Sequence, residues 1–289
     1  MHSSHPRKHH ARRLLCLTAL ACFVAGGTAY ACARRSAVPQ LPELPAESLE
    51  QPAESLVQAA STLPDVPVQL PAENGAQQST LTAAQAQALL DDPRMILVSR
   101  THKMPEDYPI ETKECGSATA INKTLQTEAA EAFLSMQAAA AKDGVDVRMQ
   151  SGYRSVSYQK KLYDNKTQYY RNKGLSAARE KAAAIVNPPG CSEHNCGLAA
   201  DLNSPEHATL DTGFADTAAF RWLCENAEQY GFILRYTEEA ESVTGITYEP
   251  WHWRYVGPEN AALLNRSGLC LEDAVAVLQR IAAGETVTG

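Results

Sequence analysis

Acidic residues are absent from positions 1–35, which carry six Lys or Arg, and basic residues are absent from positions 36–80. Aromatics are few, at 7%, and charged residues make up 20% against 44% apolar. This is ordinary globular composition for a chain of 289 residues, and it excludes a mainly disordered, collagenous or multi-span membrane protein. With the basic N-terminus set aside, 20 basic residues face 33 acidic ones. A surface of that sign is unsuited to the phosphate backbone, so nucleic acid is not an expected partner.

The basic stretch Arg7, Lys8, Arg12, Arg13 runs into about twenty uncharged, mostly apolar residues, Leu14 to Ala33. Residues 1–33 read as an export segment. It is either a signal peptide cut near Ala29-Tyr30-Ala31 or an uncut anchor, since a helix of about 20 residues spans the hydrocarbon core. Residues 34–80 read as a linker: positions 36–80 hold seven prolines, six acids and a repeated Pro-Ala-Glu-Ser, with too little clustered apolar surface to offset chain entropy. From Leu81 the texture changes to Ala-rich helical patterns at 82–90, 127–141, 176–185 and 217–230, with β-like runs at 95–99 and 145–150. Residues 81–289 are therefore expected to form one compact α+β domain, large enough to fold without metal or disulfides. The chain is expected to be a monomer at the outer face of the cell envelope, anchored in the membrane or secreted.

Of eight cysteines, Cys115, Cys191, Cys196, Cys224 and Cys270 fall in this domain. Export would favour disulfides, with Cys191–Cys196 the first candidate pair and Cys224–Cys270 a second, leaving Cys115 over. A Cys/Cys/His metal loop at 191–196 is the rival reading.

Three segments are dense in reactive side chains: Ser151-Gly-Tyr-Arg-Ser155, Ser192-Glu-His-Asn-Cys-Gly-Leu-Ala-Ala-Asp201 and Glu249-Pro-Trp-His-Trp-Arg-Tyr-Val-Gly257. A lone histidine is ordinarily a hydrogen-bonded loop or core residue, and a lone Gly-Tyr-Arg a turn with a solvated cation. In the second segment, alternation after Gly197 puts Leu198, Ala200 and Leu202 on one face of a strand and Ala199, Asp201 and Asn203 on the other. Gly197 lets the chain turn so that His194 folds back over Asp201. In the third, His252 and Arg254 share one face and Trp251, Trp253 and Tyr255 the other. Glu249 joins His252 only if the backbone bends at Pro250. Two imidazoles and one carboxylate suit a catalytic zinc ion with one open position, and a neighbouring carboxylate that is not a ligand suits a general base.

Taken together, Ser-x-His-x-x-Gly-x-Ala-x-Asp, Glu-x-Trp-His-x-Arg-Tyr-Val-Gly and the upstream Ser-Gly-Tyr-Arg-Ser resemble the VanY-type zinc D-Ala-D-Ala carboxypeptidases, a group that includes VanX dipeptidases and L,D-carboxypeptidases. The resemblance spans about residues 93–286. It implies a small antiparallel sheet flanked by helices, Zn²⁺ held by His194, Asp201 and His252, and Glu249 as catalytic base. Arg154 would bind the substrate carboxylate or the oxyanion, Gln159 and Ser192 would hydrogen-bond the peptide end, and Trp251 would wall the pocket. The implied substrate is the peptidoglycan stem peptide, whose terminal D-Ala is removed, and with it the terminus that glycopeptide antibiotics bind. Cleavage of tetrapeptides by an L,D-carboxypeptidase is the alternative; a catalytically silent wall-binding module is a more distant one. Cys191 and Cys196 depart from the family's usual residues without removing a ligand.

Overall fold

The capping chemistry of the domain begins at Thr82. Its hydroxyl accepts the Gln85 N–H and the Gln85 side chain accepts the Thr82 N–H, closing the first turn of helix α1 (Ala83–Leu90). The structure, a computed structural model, describes residues 81–117 and 119–285. The expected export segment and linker lie outside the described residues.

Strands β1 (Thr112–Glu114) and β2 (Thr124–Gln126) form a small antiparallel ribbon leading into α2 (Thr127–Lys142). Helix α2 buries Ala129, Ala130, Phe133, Met136 and Ala140, a stripe at three- and four-residue spacing. The main sheet contains β3 (Arg148–Ser151), β4 (Ala199–Asn203), β5 (Phe232–Leu234) and β6 (His252–Tyr255), in the order β3-β4-β6-β5 and wholly antiparallel. The expected α+β class with an antiparallel sheet between helices is what is found. Between the strands lie α3 (Val156–Asn172), α4 (Ala178–Ala183), α5 (Ala218–Asn226) and α6 (Glu241–Thr244), and the domain closes with α7 (Pro258–Ser267) and α8 (Leu271–Ala282).

The two central strands are buried along their whole length. One face carries Leu198, Ala200 and Leu202 with Trp253 and Tyr255 into a core shared with Phe133 and Met136 of α2. The other carries the polar residues. A second cluster, Met95, Val256, Leu264 and Leu278, joins α7 and α8 to the sheet.

Several local expectations need correction. Residues 95–99 form no strand. Instead, the carbonyls of Arg94 and Ile96 accept hydrogen bonds from Arg254 Nη2, both at 2.8 Å, which takes the segment out of any ladder. The pattern at 217–230 is α-helical only to Asn226 and tightens to a 3₁₀ turn at Ala227–Tyr230. No disulfide joins Cys191 to Cys196, or Cys224 to Cys270. A 3₁₀ turn at Glu193–Cys196 directs Cys196 into the core, where its thiol donates to the Glu193 carbonyl at 2.9 Å. The Cys270 thiol donates to Asp273.

Candidate active site

Register brings the site together. Asp201 of β4 lies directly opposite His252 of β6, and on its other side opposite Ser151 of β3. Cross-strand neighbours project from the same face about 5 Å apart, so two residues distant in sequence meet at the ion-binding face. The 3₁₀ turn before β4 supplies His194, and it ends at Gly197, whose backbone is left-handed (φ 73°). Any side chain there would also press on Gln126.

The bend at Pro250 exists. Pro250 and Trp251 form a turn in which the His252 N–H bonds the Glu249 carbonyl at 3.0 Å, placing Glu249 Oε2 3.8 Å from His252 Nδ1. Trp251 sits in this turn rather than on the strand; it lines the cleft while also packing, partly buried, against the core that holds Trp253 and Tyr255.

His194, Asp201 and His252 are all buried, and one ligand atom from each lies within 4.8 Å of the others. His194 Nε2 and His252 Nδ1 are both 3.2 Å from Asp201 Oδ1. The far nitrogen of each ring is anchored: His194 Nδ1 donates to the Gly152 carbonyl at 2.8 Å, and His252 Nε2 lies 3.2 Å from Glu193 Oε2. Such partners leave the inward nitrogens with their lone pairs free for a metal. A borderline-soft dication with tetrahedral preference fits two neutral imidazoles and a carboxylate, so the donor set suits Zn²⁺. The thiols of Cys191 and Cys196 are not part of the cluster, so the Cys/Cys/His reading fails.

The charges are strongly perturbed. Burial works against ionisation of Asp201, but His194 and Arg154 outweigh it and hold the carboxyl well below its usual range. Burial, with Arg154 beside it, pushes His194 down. For His252 burial is overcome by its bonds to Asp201 and Glu193, which raise it to about 9 without metal. Burial raises Glu249 to about 7, with His252 opposing. A carboxyl poised near neutrality can accept and return a proton at working pH.

The site opens into a cleft of about 530 Å³ lined by Arg154, Gln159, Ser192, Glu249 and Trp251 together with the three metal-facing residues. Each residue singled out in the sequence is therefore found here. Arg154 donates through Nη2 to Asp201 Oδ2 and through Nε to Ser151 Oγ at 3.2 Å. Gln159 is 1% exposed; its Nε2 donates to the Asn187 carbonyl at 2.7 Å and its Oε1 has no protein partner.

Sequence reading missed Glu193, Asn195, Tyr236 and Arg235. Glu193 is fully buried against Arg235 (2.7 Å), Arg254 (2.9 Å) and His252. Asn195 receives the Gly190 N–H and donates to the Arg154 carbonyl, which tethers the arginine segment to the histidine turn. The Tyr236 ring packs 4.8 Å from that of His252. The one available signal was position, since Glu193 and Asn195 flank His194, a candidate ligand.

A model of the VanY family, described as D-alanyl-D-alanine carboxypeptidase, matches residues 122–258. The D-alanyl-D-alanine carboxypeptidase of Enterococcus faecalis is 37% identical over 205 residues, covering 70% of this chain and 72% of that protein. The chain belongs to the VanY family. Another relative, the putative carboxypeptidase YodJ of Bacillus subtilis, is 36% identical, over 65% of this chain and 68% of its own length. Among solved structures, VanYB in complex with D-alanine-D-alanine is 35% identical with a TM-score of 0.56, covering 63% of this chain and 97% of that one. A zinc complex of the VanY D,D-pentapeptidase from the VanB-type resistance cassette is 35% identical with a TM-score of 0.55, covering 63% and 99%. The LdcB LD-carboxypeptidase is 30% identical, also with a TM-score of 0.55, covering 73% and 95%. In this VanY-family chain the matched region contains all three reactive segments and hence the whole His194, Asp201 and His252 cluster.

Proposed function

We propose that this protein is a zinc-dependent D-alanyl-D-alanine carboxypeptidase that removes the terminal D-Ala from peptidoglycan stem peptides. The observation that carries the reading is Glu249. It is a carboxyl raised to about 7, 3.8 Å from an imidazole of a His/Asp/His cluster and outside that ligand set. Zinc bound there would supply a Lewis acid for the scissile carbonyl and acidify water towards neutrality.

The chain's own groups do the rest. Glu249 takes the proton from the attacking water and returns it to the departing D-Ala amine. Arg154, at the cleft wall, offers a planar fork of donors to the substrate carboxylate or the developing oxyanion. Gln159 and Ser192 hydrogen-bond the peptide end, a role consistent with the unsatisfied Gln159 Oε1 in the cleft. Trp251 excludes water from one wall. Gly152 and Glu193 hold the two imidazoles in the tautomers that metal binding requires.

Digestion of defined penta- and tetrapeptides followed by mass spectrometry tests the reading. Loss of D-Ala from the pentapeptide is expected; release from the tetrapeptide alone would move the protein to the L,D class, a second reading favoured by the likeness to LdcB. We further propose that the domain faces the cell wall, secreted or tethered through residues 1–33. The support is the basic-then-apolar N-terminus and the proline-rich stretch that follows it. Among the described residues no helix is long and apolar enough to cross a membrane. Fractionation of cells carrying the full chain, with N-terminal sequencing of the product, tests this placement.

A further inference from the structure

Arg235 is 2% exposed and lies between two carboxylates. Its Nε donates to Glu193 Oε1 at 2.7 Å, and Nη1 and Nη2 donate to the two oxygens of Glu272 at 2.8 and 2.6 Å. Glu193 divides its own oxygens: Oε1 also accepts from Arg254 Nη1 at 2.9 Å, while Oε2 faces His252 Nε2 at 3.2 Å. A continuous set of charged contacts thus runs from the first turn of α8, where Glu272 sits, to a metal-facing imidazole.

We propose that Glu272 is a positioning residue for the zinc ligand His252, acting through Arg235 and Glu193. The inference rests on the zinc reading of the site. The physical reason lies in how the charges balance. Glu193 is buried between two guanidinium groups and must still present one oxygen to His252, because that oxygen holds the proton on Nε2 and leaves Nδ1 for the ion. Glu272 occupies the other side of the Arg235 fork in a bidentate pair, which fixes the plane of the guanidinium and offsets its charge. With that partner gone, Arg235 becomes a buried cation with Glu193 as its remaining carboxylate partner. Glu193 is then drawn towards the arginines, and the bond that orients His252 weakens. The Tyr236 ring keeps the imidazole roughly in place but cannot select its tautomer. Glu272 keeps 16% of its side chain open, so α8 carries one end of this arrangement close to the surface.

The rival account is an ordinary ion pair that fastens α8 to the domain and does nothing to the metal. Zinc dissociation constants, measured by chelator competition, and the visible spectrum of the Co²⁺-substituted protein separate the two. Glu272→Gln is expected to weaken zinc about tenfold, the lower end for loss of a ligand's outer partner. It should also shift the cobalt bands and lower kcat with little change in KM. Glu193→Gln should weaken zinc at least as much, and the double variant should add less than twofold to it, because both act on one contact. Leu271→Ala, buried in the neighbouring position of the same helix, should lower Tm but leave zinc affinity and the cobalt spectrum alone. If Glu272→Gln does not fold, Glu272→Asp keeps the charge, shortens the reach and should show the same effects at smaller size. Wild-type zinc affinity and cobalt spectrum in the Glu272 variants, or full additivity with Glu193→Gln, would overturn the proposal. A wild-type protein that binds no zinc would instead overturn the reading of the site itself.

Discussion

Among single residues, Glu249 and His194 separate chemistry from metal binding. Glu249 is outside the ligand cluster, so Glu249→Ala should retain zinc by elemental analysis and lose roughly 10²–10⁴ in kcat, the usual worth of a positioned acid–base group. His194→Ala removes a ligand and should lose the metal too. Retained turnover in either variant would refute the role assigned to it. Glu249 also sets the acid side of the pH profile. The carboxyl must be ionised to accept a proton, and it lies at about 7 before a metal is added. A neighbouring dication favours the ionised form. The rate kcat/KM should therefore fall below an apparent pKa at or under 7, and Glu249→Gln should abolish that limb. Glu193 had to be read in three dimensions, because only the fold places it between two arginines.

At the level of elements, the sheet and two tight backbone approaches build the site. A Cβ on Gly152 would lie 2.3 Å from the Thr124 carbonyl, which neither backbone can relieve cheaply. Gly152→Ala should therefore displace the carbonyl that holds His194 Nδ1, lowering both Tm and zinc affinity. Unchanged zinc binding would show that this anchor is dispensable. The helices around 83–90 and 127–142 were legible from their Ala-rich helical patterns; Thr82 caps the first, while the second has no side-chain cap and buries an apolar stripe at three- and four-residue spacing. Helix α3 was not. It buries only Gln159 and Thr167, so no apolar stripe announces it; its inward face, Gln159, Leu162, Lys166 and Tyr169, lines the cleft instead of a core. Residues 95–99 misled in the opposite direction. Their apolar character is real, but Arg254 claims the carbonyls that a strand would use.

For the whole molecule the buried charges make stability depend on pH and metal. Glu193 and Asp201 are held below their unfolded values near 4, so the stabilisation they bring is complete above that pH and is lost as pH falls through it. His252, raised to about 9 in the metal-free protein, contributes with the opposite sign: fully below about 6.5, and lost as pH rises to 9. Between about 4 and 7 the raised Glu249 and the lowered His194 act against each other. Metal-free protein should therefore lose stability both below pH 4 and between pH 7 and 9, as urea titrations would report. Zinc requires His252 deprotonated, so it should remove the alkaline loss, adding about 2.7 kcal/mol at a hundredfold excess over Kd. An alkaline decline that persists with zinc bound would contradict this linkage.

Residue type and short-range order were enough to single out His194, Asp201 and His252 as a set suited to a metal with Glu249 as candidate base, because donor chemistry is a property of side chains, and strand alternation and glycine turns are local; the cleft roles of Arg154, Gln159, Ser192 and Trp251 came from the motifs' resemblance to a family. They were enough, too, for the α+β class. The meeting of Asp201 with His252, the turn that swings Glu249 and Trp251 into the cleft, and the burial of Glu193 between arginines were decided only in the folded chain. So was the state of Cys191 and Cys196, whose close spacing suggested a bridge until the 3₁₀ turn sent one thiol into the core. Strand register and the direction of a buried side chain depend on partners far away in the chain, and no local window contains them.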